Sequence, residues 1–147
     1  MRVAIASDHA GFAMKTEMVA ALVELKVDFD DLGPADEARV DYPDFAKKVA
    51  AAVTGKGADL GVLICGTGIG VSITANKVHG IRAALCHTEF EAKMARAHND
   101  ANVLCLGQRV TGGGVARSIL EEFLKGTFEG GRHAQRVAKI ADLEKTY

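Results

Sequence analysis

Leu60-Gly61-Val62-Leu63-Ile64-Cys65 is an unbroken apolar run that passes straight into Gly66-Thr67-Gly68-Ile69-Gly70. A run without polar alternation is the pattern of a strand covered on both faces, as strands of parallel sheets are. The glycine-rich continuation leads toward a helix, so the chemistry is expected where the strand ends.

The segments around it repeat the same rhythm. Toward the N-terminus, Val3-Ala4-Ile5-Ala6 stops at Ser7-Asp8-His9, after which Phe12, Met18, Val19, Leu22 and Val23 recur near helical spacing. Val27-Asp28-Phe29-Asp30 alternates as a strand does and ends at the turn signal Leu32-Gly33-Pro34, with loop expected as far as Asp41. Pro43 suits the first turn of a helix whose buried stripe is Phe45, Val49 and Val53, ended by Gly55 and Gly57. Toward the C-terminus, Ile81 to Cys86 reads as a fourth strand, and Thr88 with Glu91 has the spacing of a capping box for a helix reaching Ala97. Asn102 to Leu106 reads as a fifth strand, Val115, Ile119, Phe123 and Leu124 mark another helix, and Arg132 to Tyr147 a last one. Strand and helix alternate with connections too long for hairpins. The expected fold is α/β, a three-layer Rossmann-like sandwich with a five-stranded parallel sheet, in one domain over residues 1–147.

Composition narrows the function classes. With 48% apolar and 25% charged residues and a formal net charge of -1, neither disorder nor a general nucleic-acid footprint is indicated. Aromatics are 5% with no Trp, which weakens any reading based on base stacking. The apolar run before Asp8 is too short for a signal peptide or a membrane span, so a cytoplasmic protein with no membrane partner is expected. Cys65, Cys86 and Cys105 form no CxxC pair and suggest neither a disulfide framework nor a structural zinc site.

In open parallel sheets ligands gather at the carboxyl ends of strands, which singles out Asp8, His9, Cys65 and the loop Gly66 to Gly70. Free N–H groups of such a loop favour an anion or a developing oxyanion; the bland alternative is a tight turn that packs helix on strand. The loop is not a dinucleotide fingerprint, because the pattern needs glycine at position 71, which is Val71, and the strand about twenty residues on ends in Cys86-His87 rather than Asp or Glu. A Walker lysine is also missing. Cys65 is either an inert buried thiol or, facing a helix N-terminus, a usable base or nucleophile near neutral pH. Cys86 and Cys105 lack such a loop and read as core. Asp8 and His9 could instead be only a helix cap with a surface imidazole, but their place at the first strand end favours function. Arg132 and Arg136 share one helix face beside Val137 and Ile140, where a solvated charged face is the simple reading. Cys65, Cys86, His87 and His98 match no compact ligand motif, so metal-free, cofactor-free chemistry is the working expectation.

Ser7-Asp8-His9-Ala10-Gly11, Asp41-Tyr42-Pro43, Cys65-Gly66-Thr67-Gly68-Ile69-Gly70, Ala75-Asn76-Lys77, Gly80-Ile81-Arg82-Ala83, His98-Asn99-Asp100-Ala101-Asn102-Val103, Gly107-Gln108-Arg109-Val110 and Glu129-Gly130-Gly131-Arg132-His133 form an ordered set over nearly the whole chain. That set resembles the type B ribose-5-phosphate isomerases and the related galactose-6-phosphate isomerase subunits. The resemblance implies an aldose-ketose isomerase of the non-oxidative pentose phosphate branch, interconverting D-ribose 5-phosphate and D-ribulose 5-phosphate. It makes Cys65 the enediol-forming base and His98 the acid that opens the sugar ring. Asp8, His9, Gly66, Thr67, Gly68, Ile69, Gly70, Asn99, Arg109, Arg132 and Arg136 match the family's substrate-binding positions. Some members carry a glutamate base near position 72; Ser72 cannot serve, which favours Cys65. Gln108, beside the matched arginine, is the one departure noted. Galactose 6-phosphate, allose 6-phosphate or a tetrulose phosphate is the alternative substrate, and a phosphate- or nucleotide-binding module without turnover is the alternative class.

His98 and Asn99 follow a helix and precede the fifth strand, so they enter at the amino edge of the sheet, opposite Cys65. A homodimer, or a tetramer built from dimers, with each site made by two chains is therefore expected.

Overall fold

The computed structural model describes residues 1–146. Its centre is a five-stranded sheet in the order β2-β1-β3-β5-β4, every pairing parallel. The strands are β1 (Arg2–Ser7), β2 (Asp28–Asp31), β3 (Leu60–Cys65), β4 (Ala83–Leu85) and β5 (Val103–Gly107). The helices are α1 (Phe12–Glu24), α2 (Tyr42–Thr54), α3 (Ile69–Ala75), α4 (Glu89–Asn99), α5 (Gly113–Lys125) and α6 (Arg132–Leu143). Tyr147, the expected end of the last helix, lies outside the described residues.

Because β-strand side chains alternate faces, β1, β3 and β5 feed two separate cores. Val3, Ile5, Val62, Ile64, Leu104 and Leu106 pack under α1, α4 and α5, where Met18, Leu22, Ile119 and Phe123 meet them. Ala4, Ala6, Leu63, Val103 and Cys105 pack under α2 and α3, against Val49, Val71 and Ala75. The small side chains of β1 on this second face let α2 approach closely. All six residues of β3 are buried, which is why its sequence carries no polar alternation. The expected three-layer sandwich is present.

Three local devices set the strand ends. Thr88 and Glu91 form a complete capping box at α4. Lys15, almost fully buried on α1, holds Asp31 at 2.7 and 2.8 Å and the Pro34 carbonyl at 2.7 Å, which ties the end of β2 and its following turn to α1. Asn76 donates to the Ala83 carbonyl and accepts from the Ala83 N–H, both at 2.9 Å, so its amide occupies the outer edge of β4. β4 is shorter than the expected Ile81–Cys86, since Arg82 and Cys86 bond β5 or its flank from outside the strand proper. α4 runs two residues past Ala97 to Asn99, with Asp100 left-handed at its C-cap. α6 lies against α4 rather than on the sheet.

Candidate active site

At the carboxyl ends of β1 and β3 lies an open hollow of about 500 Å³, lined by Asp8, His9, Ala10, Tyr42, Cys65, Gly66, Thr67, Ile69, Gly70, Ile73 and Arg109. The parallel pairing of β1 with β3 puts Ser7 opposite Ile64, so the residues after both strands emerge together. Asp8 is indeed an N-cap: its Oδ1 accepts from the Gly11 N–H at 3.0 Å. The cap fixes the carboxylate at the mouth of the hollow, so capping and a ligand-facing position coexist. His9 Nδ1 lies 3.1 Å from the Val40 carbonyl and 3.3 Å from its N–H, which gives that nitrogen a partner in either protonation state and leaves Nε2 for a ligand.

Cys65, 4% exposed, ends β3 with its Sγ accepting the Gly68 N–H at 3.1 Å. Gly68, at φ 77°, is the left-handed residue that turns the chain from this contact into α3. Thr67 Oγ1 accepts the Ile69 N–H at 3.2 Å and secures the next residue of the loop. From the other side the chain after β5 continues the ladder, the Gln108 and Arg109 amides bonding the Cys65 and Gly66 carbonyls at 2.9 Å. Gln108 then accepts the Met14 N–H at 2.9 Å through its side chain, so this departure from the family pattern ties the Arg109 segment to the start of α1. Arg109 drapes over Gly66, where a Cβ would stand 3.3 Å from its guanidinium.

The other cysteines sit in the two cores. Burial pushes the Cys86 thiol up to about 12, helped by the charge of Glu91, and burial likewise pushes the Cys105 thiol up. Neither is a usable thiolate near neutral pH.

His98, Asn99, Arg132 and Arg136 are absent from this hollow. α4 descends from the carboxyl end of β4, so His98 and Asn99 stand at the opposite edge of the sheet, separated from Cys65 by at least the length of β5, about 13 Å. Asn99 borders a second hollow of about 440 Å³, together with Asn76, Arg82, Ile140 and Leu143. Arg132 and Arg136 are exposed on the first turns of α6. Neither they nor Arg109 has a carboxylate partner among the described residues. His98 stacks on His133 with ring centroids 4.1 Å apart and planes 8° from parallel. Glu129 Oε2 lies 3.8 Å from His98 Nε2 and 3.6 Å from His133 Nε2.

His98, Glu129 and His133 bring their donor atoms within 4.8 Å of one another, a distance suited to a metal ion. The directions are not suited. Imidazole binds a metal in its own plane, and an ion in the plane of one stacked ring lies well outside the plane of the other. This cluster joins residues 35 positions apart and could have been suspected only from the His133 that closes the Glu129–His133 segment. Tyr42 is the other residue that sequence reading passed over; its ring lies where a Cβ at Gly70 would be, 2.7 Å away, and it forms one wall of the hollow.

A parallel-sheet sandwich that collects a thiol, an imidazole, a carboxylate and an unpaired guanidinium around a glycine loop at its strand ends has the layout of an enzyme for a small anionic molecule. The family model described as Ribose/Galactose Isomerase matches residues 3–140. The chain belongs to the ribose/galactose isomerase family. It is 48% identical over 144 residues to ribose-5-phosphate isomerase B of Escherichia coli, covering 98% of this chain and 97% of that one. Among solved structures it is similar to Clostridium thermocellum ribose-5-phosphate isomerase B, with a TM-score of 0.99 at 50% identity over 100% of this chain and 99% of the other. It is also similar to Mycoplasma genitalium ribose-5-phosphate isomerase B with bound ribulose 5-phosphate, with a TM-score of 0.93 at 46% identity over 99% and 97%.

Proposed function

We infer that the chain is one isomerase domain over residues 1–147 that interconverts D-ribose 5-phosphate and D-ribulose 5-phosphate. The observation that carries this reading is Cys65 at the floor of the hollow, its sulfur held by the Gly68 amide and flanked by Asp8, His9 and Arg109.

The Cys65 thiolate takes the proton from C2 of the open-chain aldose, and the electron pair moves to the C1 carbonyl to give a cis-enediolate. The same thiol returns the proton at C1 while the hydroxyl proton on the C2 oxygen passes to the C1 oxygen, so that C1 becomes the alcohol and C2 the ketone. Negative charge on the enediolate oxygens is met by those amides of the Gly66 to Gly70 loop that are not held by Cys65 or Thr67, and by the Thr67 hydroxyl. Arg109, Arg132, Arg136 and His9 supply cationic donors for the phosphate. His98 gives the proton that opens the sugar ring. No step calls for a metal or a cofactor.

In this reading the active unit is a homodimer, or a tetramer built from dimers. A two-fold partner brings its own His98, Asn99, Arg132 and Arg136 over this chain's Cys65, and the symmetry makes two equal sites. The exposed apolar residues Ile69 and Ile73 beside the hollow, and Ile140 and Leu143 on α6, are the surfaces such an assembly would cover. No helix among the described residues is long and apolar enough to cross a membrane, and a cytoplasmic place of action accompanies the reading.

The test is EDTA-treated protein assayed on ribose 5-phosphate, galactose 6-phosphate, allose 6-phosphate and a tetrulose phosphate. Turnover greatest on ribose 5-phosphate supports the assignment. Preference for another member of the panel moves the substrate, and binding without turnover on all of them removes the isomerase reading.

A further inference from the structure

We propose that Glu129 and His133 are positioning residues for His98, with the His133 ring as the platform that orients the His98 imidazole and Glu129 as the carboxylate counter-charge beside it. The proposal rests on the reading of His98 as the ring-opening acid.

The geometry divides the labour between the two rings. They are nearly parallel with centroids 4.1 Å apart, close enough that a proton on both at once is opposed by like-charge repulsion. Their surroundings differ: the His133 side chain is 9% exposed and that of His98 36%. Burial disfavours the charged form, so of the two rings His133 is the one pressed toward neutrality. Burial, then the charge of His98, then Arg132 hold His133 below the usual imidazole range, with Arg136 acting the same way and Glu129 opposing them. The neutral ring is the partner that stacks without repelling.

Glu129 stands at the edge of both rings. Its backbone N–H is fixed to the Ala97 carbonyl at 3.0 Å, which anchors the carboxylate beside the last turn of α4. Gly130 and Gly131 follow with φ 66° and 54°, a bend that turns the chain so that His133 enters α6 above His98. Across the far side of Glu129, Lys93 on α4 and Glu122 and Lys125 on α5 border a shallow hollow. Arg132 and Arg136 stand beside His133 on α6, and Arg96 and Asp100, ion-paired with each other, flank His98 along α4. A protonated His98 has Glu129 as its nearby carboxylate, and the alternative use of the three groups, a metal site, fails on ring direction.

Five substitutions in the intact protein test this. His133→Phe keeps a flat ring without a titratable nitrogen and should retain turnover within about threefold of wild type, whereas His133→Ala should lose about tenfold or more, within the range of general acid catalysis. Glu129→Gln, isosteric and at a largely exposed side chain, should move the alkaline limb of the kcat profile to lower pH, because the protonated acid loses its counter-charge. Glu129→Asp should restore most of that shift. Ring-nitrogen NMR of His133 should show it titrating at higher pH once His98 is replaced by Asn. Equal losses for His133→Phe and His133→Ala, or superimposable pH profiles for wild type and Glu129→Gln, would overturn the proposal. Full turnover in His98→Asn would instead remove the acid role on which it rests.

Discussion

The Gly68 N–H donates to the Cys65 sulfur at 3.1 Å from the residue at which the chain turns left-handed, φ 77°, to enter α3. A side chain at 68 would also run into Leu85 Cδ1 and stand 2.9 Å from the Leu106 carbonyl carbon. Gly68→Ala is therefore expected to lower stability by about 1–3 kcal/mol and to cut turnover together with it. Urea unfolding and a kinetic assay on the same preparation check both; a variant with unchanged midpoint and turnover would show that neither the bend nor the contact matters.

Removing the thiol should separate fold from chemistry. Cys65→Ala is expected to unfold at the wild-type denaturant midpoint within about 1 kcal/mol and to lose at least about 100-fold in turnover. Cys86→Ala and Cys105→Ala should remain active, because burial keeps both thiols protonated. Iodoacetamide at neutral pH should accordingly modify Cys65 first, and peptide mass spectrometry gives the order. If Cys65→Ala keeps more than about a tenth of wild-type turnover, the base is another residue, and Asp8 is the next to replace.

The exposed guanidiniums of α6 should act through the phosphate. Arg132→Ala or Arg136→Ala is expected to weaken binding of ribose 5-phosphate by about 1.5–3 kcal/mol, the worth of a charge-assisted contact. Binding of unphosphorylated ribose should not change with either substitution. Titration calorimetry on the two sugars compares them, and equal losses would make the α6 face merely structural.

The separation of Cys65 from His98 predicts complementation between inactive chains. Cys65→Ala and His98→Ala chains unfolded and refolded together should form mixed dimers in half of the population, each with one intact site and one doubly defective site. Random pairing then restores about a quarter of wild-type activity. Native mass spectrometry counts the mixed dimers; if they form and no activity returns, both residues act within a single chain.

The parts of the fold read from sequence are those governed by local pattern. The unbroken apolar run of β3, the Thr88–Glu91 capping box and Pro43 at the start of α2 are each written in a few adjacent residues, and each is present. The carboxyl-end rule brought Asp8, His9, Cys65 and the glycine loop together for the same reason: strand order alone places them. What escaped depends on contacts between distant segments. Nothing near Lys15 announces that this lysine is buried against Asp31, and nothing near Tyr42 announces that its ring needs a glycine at 70. The stacking of His98 on His133 requires knowing that α6 returns to α4 instead of covering the sheet.

Asn76 gives the sheet a boundary. An edge strand with free amides and carbonyls is a template on which another strand can add, and uncontrolled addition leads to aggregates. Ala83, whose N–H and C=O face outward, already has both satisfied by the Asn76 amide, and β4 is only three residues long. At the far edge β2 is only four residues long and carries the charged Asp28 together with Asp30 and Asp31, which Arg2 and Lys15 hold in ion pairs. Growth by strand addition at β4 must first displace the Asn76 amide. The protein can thus expose apolar helix surface around its hollow, at Ile69 and Ile73, while its sheet offers newly made chains little to polymerise on.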